Sequence, residues 1–145
     1  MNAREVLKDR DGIVRSISPD DTVFDAIKAM DSFKVGALMV IDKSEKLVGI
    51  ISERDYTRKV VLKDRSSNTT KVSQIMTKKI TQVDPDAGIE KCMDIMGKHR
   101  VRHLPVVEKR KVVGVITSTD LLILTVNEKD NIIEQLERYI SPSGY

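Results

Sequence analysis

The chain contains one structural unit twice, and this internal repeat constrains the fold more than any other feature of the sequence. The stretch "GIISERD" at residues 49–55 returns as "GVITSTD" at residues 114–120, with glycine, a hydroxyl residue and aspartate at the same three places. Upstream, "SPDDTVFDAIKAM" from Ser18 matches "DPDAGIEKCMDIM" from Asp84. We therefore predict a fold built from two equivalent halves, called copy one and copy two below.

Each copy has the same predicted order of elements, which is strand, helix, strand, strand, helix. In the first helix of each copy, apolar residues recur at i, i+3, i+4 and i+7, which indicates a single buried face. Two strands rich in Val and Ile follow, and a helix begins at each repeated motif. The predicted class is α+β, close to α/β. The predicted buried faces consist of Val23, Ala26, Ile27 and Met30 in copy one, and of Ile89, Cys92, Met93 and Met96 in copy two.

The repeat divides the chain into three predicted segments, with copy one at 3–66, copy two at 67–126, and a C-terminal helix and tail at 127–145. The stretches "REVLKD" and "KVSQIMT" are predicted to form short helices that lead into copies one and two. The tail is predicted to be helical as far as Ser141 and Pro142. One face of this helix is apolar and needs a partner; its residues are Ile132, Ile133, Leu136, Tyr139 and Ile140.

Composition narrows the class of protein. A chain of 145 residues, 40% of them hydrophobic, can bury one ordinary core or two small ones. The single cysteine excludes an internal disulfide, and neither a secretory leader nor an apolar run of about 20 residues is visible, so a cytosolic protein that does not span a membrane is predicted. The 25 basic residues are interspersed with 22 acidic ones, and aromatic residues are only 3%, so nucleic acid is not the expected partner.

The repeated Gly-x-x-(Ser/Thr)-x-x-Asp motif has two compatible interpretations. By default, Ser52 and Thr117 cap the helices that follow, and Asp55 and Asp120 bond back to them as in a capping box. However, a cap accepts Glu or Gln as well as Asp and does not require the glycine. A helix N-terminus also suits a phosphate, and an aspartate carboxylate can accept both hydroxyls of a ribose diol. Nucleotide binding therefore stays open beside capping.

The order of elements and the two motifs, with "VRHLPVV" before the second, resemble a tandem pair of CBS domains, the family named after cystathionine beta-synthase. The resemblance covers about residues 3–126. It implies a pseudo-two-fold module whose central clefts bind adenosine-containing ligands such as AMP, ADP, ATP, NAD(H) or S-adenosylmethionine. Such pairs usually sense a ligand rather than catalyse, so the resemblance implies no required cofactor and no enzyme activity.

The resemblance also implies site residues. Asp55 and Asp120 would hold ribose, with Ser52 and Thr117 beside ribose or phosphate. Other residues would border the adenine, line the cleft or lie inside the motifs, and they are Val14, Ile80, Gly36, Ala37, Leu38, Leu104, Arg54 and Thr119, together with the two residues discussed next.

Copy one departs from the implied pattern on the strand that lines the cleft. It has Gly36 and Ala37 where copy two has Arg102 and His103, which would face phosphates. The anionic part of a ligand is therefore expected to depend mainly on copy two. Arg54, inside the first motif, could restore a cation to copy one.

Other interpretations of the same residues are weaker. "KHRVRH" at 98–103 is the densest basic stretch, but the repeat places it at the junction of a helix and a buried strand, where its side chains diverge. Cys92, His99 and His103 include zinc-ligand types, but Cys92 falls on the apolar helix face, where cysteine usually acts as a small hydrophobe.

Three functions follow from the sequence, in order of preference. The first is a homodimeric, stand-alone sensor that binds an adenine nucleotide and reports occupancy to an unidentified partner protein. The second is a pure interaction module with vestigial clefts, which would use its helix faces and C-terminal helix. The third is an enzyme, for which no nucleophile with an activating base is visible.

Overall fold

The computed structural model describes residues 1–8 and 13–140, without the side chains of Tyr139 and Ile140, and it consists of two small β-sheets covered by helices. The predicted helix end at Ser141 and Pro142 lies outside the described residues. In chain order the elements are α1 (Ala3–Leu7), β1 (Ser16–Ile17), α2 (Val23–Phe33), β2 (Ala37–Ile41), β3 (Leu47–Ser52), α3 (Glu53–Tyr56), a π-helical turn (Thr57–Val61), α4 (Val72–Ile75), α5 (Ile89–His99), β4 (His103–Glu108), β5 (Lys111–Thr117) and α6 (Ser118–Ile140).

The two sheets repeat one topology, which confirms the α+β class. In copy one, β1 pairs with β2 in parallel, and β2 pairs with β3 in antiparallel orientation. In copy two, β4 and β5 are antiparallel, and the predicted first strand is reduced to a single parallel bridge between Val83 and Val106. This bridge is the equivalent of the pair Ile17 and Val40 in copy one.

The first helices of the copies match closely. Both α2 and α5 have 11 residues, and both end at a left-handed residue, Lys34 or Arg100. One residue of the predicted buried face of α5 is wrongly placed, because Met93 is 37% exposed. Ile95 packs against the core of copy two instead. Copy one has the smaller Ala29 at the equivalent position, so the buried face of α5 is turned toward Ile95.

Each copy has its own core, and each core is completed by a short helix that precedes the other copy in the sequence. Ala3 of α1 is fully buried in the core of copy two, whereas Val72 and Ile75 of α4 are buried in the core of copy one. This packing differs from the predicted segments, which assign each short helix to the copy that follows it. We call this arrangement the helix exchange.

Equivalent hydrogen bonds fix the helix exchange at both places. At the start of α1, the amides of Ala3 and Arg4 donate to the carbonyls of Ala87 and Pro85, both at 2.8 Å. At the start of α4, the amides that donate are those of Val72 and Ser73, and they reach the carbonyls of Asp21 and Pro19 at 2.8 and 3.0 Å. The repeat therefore extends to the backbone contacts of the short helices.

The motif glycines lie where these short helices approach the strands. A Cβ on Gly49 would stand 2.6 Å from Sδ of Met76 and 3.1 Å from the carbonyl oxygen of Thr77. A Cβ on Gly114 would stand 2.5 Å from Cδ1 of Leu7. Close packing of the short helices thus accounts for the glycine that a helix cap does not require.

The last helix runs without a break through the predicted boundary at residues 126 and 127. It begins directly after Thr117 and includes residues assigned by sequence to both copy two and the tail. Among the described residues, no helix is both long enough and apolar enough to cross a membrane.

Candidate ligand-binding site

Both repeated motifs form the capping box that is their default interpretation. In copy one, the amide of Asp55 donates to Oγ of Ser52 at 3.2 Å, and the amide of Ser52 donates to Oδ2 of Asp55 at 3.0 Å. In copy two, the equivalent distances between Thr117 and Asp120 are 3.2 and 2.7 Å. One oxygen of each carboxylate therefore serves the helix start.

A cavity of about 190 Å³ lies between the copies, next to the second motif. Three of the predicted site residues line it: Ala37 from β2, His103 from β4 and Thr117 from β5. His103 and Thr117 are direct cross-strand partners. The remaining lining residues come from both copies and from the segment before β1, and they are Leu7, Ile13, Arg15, Val35, Met39, Val113, Gly114 and Val115.

The cavity combines apolar walls with basic groups. His103 and Arg15 lie among its lining residues, and none of the described lining residues is acidic. Burial lowers the pKa of His103, the positive charge of Arg102 lowers it further, and the carboxylate of Asp120 partly opposes both effects. A helix also begins at the next residue after Thr117, so its N-terminal amides add partial positive charge. Arg15 and these amides therefore make the site electrostatically suited to an anion.

Several predicted site residues lie away from this cavity. The side chains of Leu38 and Leu104 are fully buried in the two cores, because strand alternation turns them to the opposite face from Ala37 and His103. Arg102 is exposed, and its carbonyl accepts a hydrogen bond from Ser118. The other residues outside the lining are exposed Gly36, Arg54 and Thr119, half-buried Val14 and Ile80, and Ser52, Asp55 and Asp120 at the helix starts.

The carboxylate of Asp55 in copy one is held by donors within the chain. Its Oδ2 also accepts a hydrogen bond from Oγ of Ser52 at 3.1 Å, and its Oδ1 accepts one from Oγ1 of Thr77 at 3.2 Å. Nζ of Lys59 forms an ion pair with Oδ1 at 2.9 Å. The Asp55 side chain is only 12% exposed.

Sequence reasoning missed Arg15 and Lys59. Arg15 lies one residue from the predicted Val14, and its guanidinium stands over the ring of Phe33, 4.4 Å from the centroid. The signal for Arg15 would have been strand alternation, which places residues 13 and 15 on the face opposite Val14. The signal for Lys59 was its position four residues after Asp55 on a predicted helix.

Comparisons with family models, curated proteins and solved structures all identify the same family. The CBS domain is matched twice, by residues 5–62 and 72–127. The CBS domain-containing protein CBSX3, mitochondrial, of Arabidopsis thaliana is 39% identical over 142 residues, which cover 95% of this chain and 68% of that protein. The crystal structure of the CBS domain NE2398 is 39% identical and superimposes with a TM-score of 0.81, covering 87% of this chain and 98% of the other.

Two further proteins are similar to this chain in sequence or in fold. The inosine-5'-monophosphate dehydrogenase of Methanocaldococcus jannaschii is 37% identical over 118 residues, but this chain spans only 22% of that enzyme's length. A CBS domain pair solved in complex with 5'-methylthioadenosine and S-adenosyl-L-methionine has a TM-score of 0.76 at 22% identity, which shows a shared fold.

Proposed function

The chain belongs to the CBS domain family, and from this premise we propose that it is a regulatory module that binds an adenosine-containing ligand and reports occupancy to a partner protein. The observation that carries the proposal is the cavity between the copies, where apolar walls, two basic side chains and the capped start of α6 meet. Binding of adenosyl compounds by a related CBS pair supports the ligand class.

The cavity suggests how such a ligand would lie. The ribose diol would bond to Asp120 beside Thr117, since an ionised carboxylate can accept from both hydroxyls. The adenine would pack against the apolar residues of β2 and β5. Phosphates or another anionic group would face Arg15 and His103, because an arginine fork makes strong charge-assisted hydrogen bonds with phosphate.

The size of the cavity limits what it encloses. Pockets for drug-sized ligands usually measure about 300–1,000 Å³, whereas this one measures about 190 Å³. A nucleoside part would therefore fill it, and a chain of phosphates would extend toward the surface. The exposed Arg102 lies one residue before His103, so it remains our candidate for a contact with the outer phosphates.

The proposed role of the module is ligand binding rather than catalysis. Ser52, Asp55 and Ile80 would form the cleft of copy one. We propose that the protein works as a homodimer in the cytosol and that the protein it regulates is a separate chain. Fractionation of cells that express the chain at native level would test the compartment.

A pure interaction module is the alternative, and the exposed face of α6 favours it. Leu122, Val126, Ile133 and Leu136 recur at helical spacing and are each about half exposed or more. Such a face suits a protein partner whether or not the clefts bind a ligand.

Thermal unfolding in the presence of adenosine, AMP, ATP, NADH or S-adenosylmethionine tests the proposal. A ligand at 100 times its dissociation constant should stabilise the fold by about 2.7 kcal/mol, which raises Tm by several degrees. Asp120→Asn should abolish the shift for every compound. Arg15→Gln should reduce it for ATP but not for adenosine, because only ATP carries phosphates.

Mass spectrometry of the small molecules released from the denatured, purified protein would identify the natural ligand. The interaction module would be favoured if no adenosine compound at millimolar concentration changed Tm and no nucleotide was released. Glu134→Gln, on the exposed part of α6, is the matched control because it removes one carboxylate far from the cavity.

A further inference from the structure

Lys59 distinguishes the two motifs. Its ammonium lies 2.9 Å from Oδ1 of Asp55 and also donates to the carbonyl of Ile75 at 2.8 Å. Lys59 thus connects the first motif to the end of α4. Its side chain is 44% exposed, whereas the Asp55 side chain is 12% exposed, so the ammonium covers a largely buried carboxylate.

The acceptor capacity of Asp55 is already used within the chain. An ionised carboxylate offers about four lone-pair positions. Four donors reach this one: the amide and hydroxyl of Ser52, the hydroxyl of Thr77 and the ammonium of Lys59. A ribose diol brings two hydroxyl donors, so it can bind only by displacing donors that are already present.

Copy two carries no cation at the position of Lys59. The alignment that pairs Asp55 with Asp120 pairs Lys59 with Leu124, and Leu124 packs against the core of copy two. A leucine side chain has no donor and no charge, so it cannot form this ion pair with Asp120. The two motifs are therefore equivalent in their capping but different at this position.

We propose that Lys59 closes the cleft of copy one to nucleosides, so that a ribose reaches Asp55 only when the ammonium is displaced. This inference rests on the proposed function, since it assigns unequal roles to the two clefts of one binding module. A neutral nucleoside that displaces Lys59 separates an ion pair and offers the ammonium no new anion. Ribose binding at Asp55 is weakened accordingly.

Calorimetric titration with adenosine tests this in four proteins: the wild type, Lys59→Met, Asp120→Asn and the double variant. Methionine keeps most of the length of the side chain and removes its charge. The wild type should bind one adenosine per chain, Asp120→Asn none and Lys59→Met two. The double variant should bind one, at copy one, with an affinity at least about tenfold higher than any residual binding by Asp120→Asn.

The controls separate a local contact from a general effect of charge. Lys63→Met in the Asp120→Asn background makes the same charge change at an exposed lysine and should not create a site. Lys59→Arg keeps the cation and should keep the cleft closed. Lys59→Gln provides a second neutral variant, and the Tm of each protein reports that it is folded.

The possible failures are distinguishable. If Asp120→Asn binds adenosine as tightly as the double variant does, Lys59 does not close the cleft and this inference is wrong. The same holds if the double variant binds no adenosine while the wild type does. If the wild type binds neither adenosine nor ATP, the proposed function fails, and the inference fails with it.

Discussion

His103 is the residue at which burial, charge and the candidate site meet. It faces the cavity from β4, across from Thr117. Burial is the main reason for its lowered pKa, Arg102 adds to it, and Asp120 opposes it. Arg15 also lines the cavity and brings a positive charge to it. His103 is therefore harder to protonate in the folded protein than in the unfolded chain.

This difference predicts how stability changes with pH. The unfolded histidine takes up its proton near its reference pKa of about 6.5, before the folded one does. Stability is therefore lost as the pH falls from about 7 through this range, until the folded histidine is also protonated. Urea unfolding at about pH 7.5 and pH 5.5 should show that His103→Gln loses less stability on acidification than the wild type.

The other histidine of the chain is the matched control. His99 is exposed at the end of α5, so His99→Gln should lose as much stability on acidification as the wild type. Equal losses in His103→Gln and the wild type would contradict the assignment of this effect to His103.

From the sequence, the types of residue near the cavity could be predicted better than the directions of their side chains. His103 and Thr117, which the resemblance implied as site residues, line the cavity. Arg102 was predicted with them, but it precedes β4, its side chain is exposed and it does not line the cavity. Strand alternation separates Arg15 from Val14, but which of the two faces the cavity depends on the pairing of β1 with Met39 of β2.

At the scale of elements, the packing of short helices on strands determines the motif glycines. The carbonyl of Thr77 that faces Gly49 accepts a hydrogen bond from the amide of Ile50 at 3.0 Å, and the amide of Thr77 donates to the carbonyl of Ile50 at 2.8 Å, so this backbone is fixed. The atoms that face Gly114 belong to the side chain of Leu7, which can change rotamer. The motif glycine of copy one, Gly49, therefore tolerates an added side chain less well than Gly114 of copy two.

Alanine substitutions should show this difference. Gly49→Ala should destabilise the fold by about 1–3 kcal/mol, because the added methyl overlaps the side chain of Met76 and also lies tightly against the Thr77 carbonyl, which cannot move easily. Gly114→Ala should cost less. The free energy of unfolding of both variants, measured in urea, checks the order, which would be contradicted if Gly114→Ala were the more harmful.

Gly97 offers a control on the same substitution. It lies inside α5, and a Cβ there would meet nothing within 4 Å. Gly97→Ala should therefore stabilise the fold by about 0.5–1 kcal/mol through helix propensity alone.

The elements themselves were largely predictable, and their partners were not. Periodicity and turn residues predicted α2, α5 and both hairpins, since these signals are local. The destination of α1 and α4 depends on contacts between residues far apart in sequence, such as Ala3 with Ala87. The internal repeat does not show which core each short helix covers, because exchanging both short helices still leaves two equivalent copies.

At the scale of the whole molecule, the exposed stripe of α6 predicts how two chains associate. The stripe consists of Leu122, Val126, Ile133 and Leu136, spaced as in the seam of a coiled coil, and Lys129 takes the remaining seam position. Parallel pairing would place the two Lys129 side chains against each other. Antiparallel pairing centred near residue 131 separates them by about 6 Å along the axis and places Val126 opposite Leu136.

We therefore expect an antiparallel homodimer through α6. Light scattering should report a dimer for the wild type and a monomer for Ile133→Glu, which places a charge in the seam. Asn131→Glu adds the same charge on the opposite face of the helix and should stay dimeric. A monomeric wild type at micromolar concentration would refute the dimer.

Disulfide crosslinking of single-cysteine variants defines the orientation. In antiparallel chains, a mixture of Val126→Cys and Leu136→Cys should form the mixed disulfide, and neither variant should crosslink to itself. In parallel chains, each of these variants, and Lys129→Cys, should crosslink to itself. Cys92 does not interfere because it is fully buried.

The helix exchange has a consequence for how such a molecule can arise. A chain with only one copy would carry a short helix that its own core cannot use and a core that lacks its covering helix. Two such chains could complete each other by trading their N-terminal segments, as in a domain-swapped dimer. Joining them end to end keeps every contact and makes the association of the two halves intramolecular. The pair of copies is therefore the smallest unit of this chain in which both cores are covered.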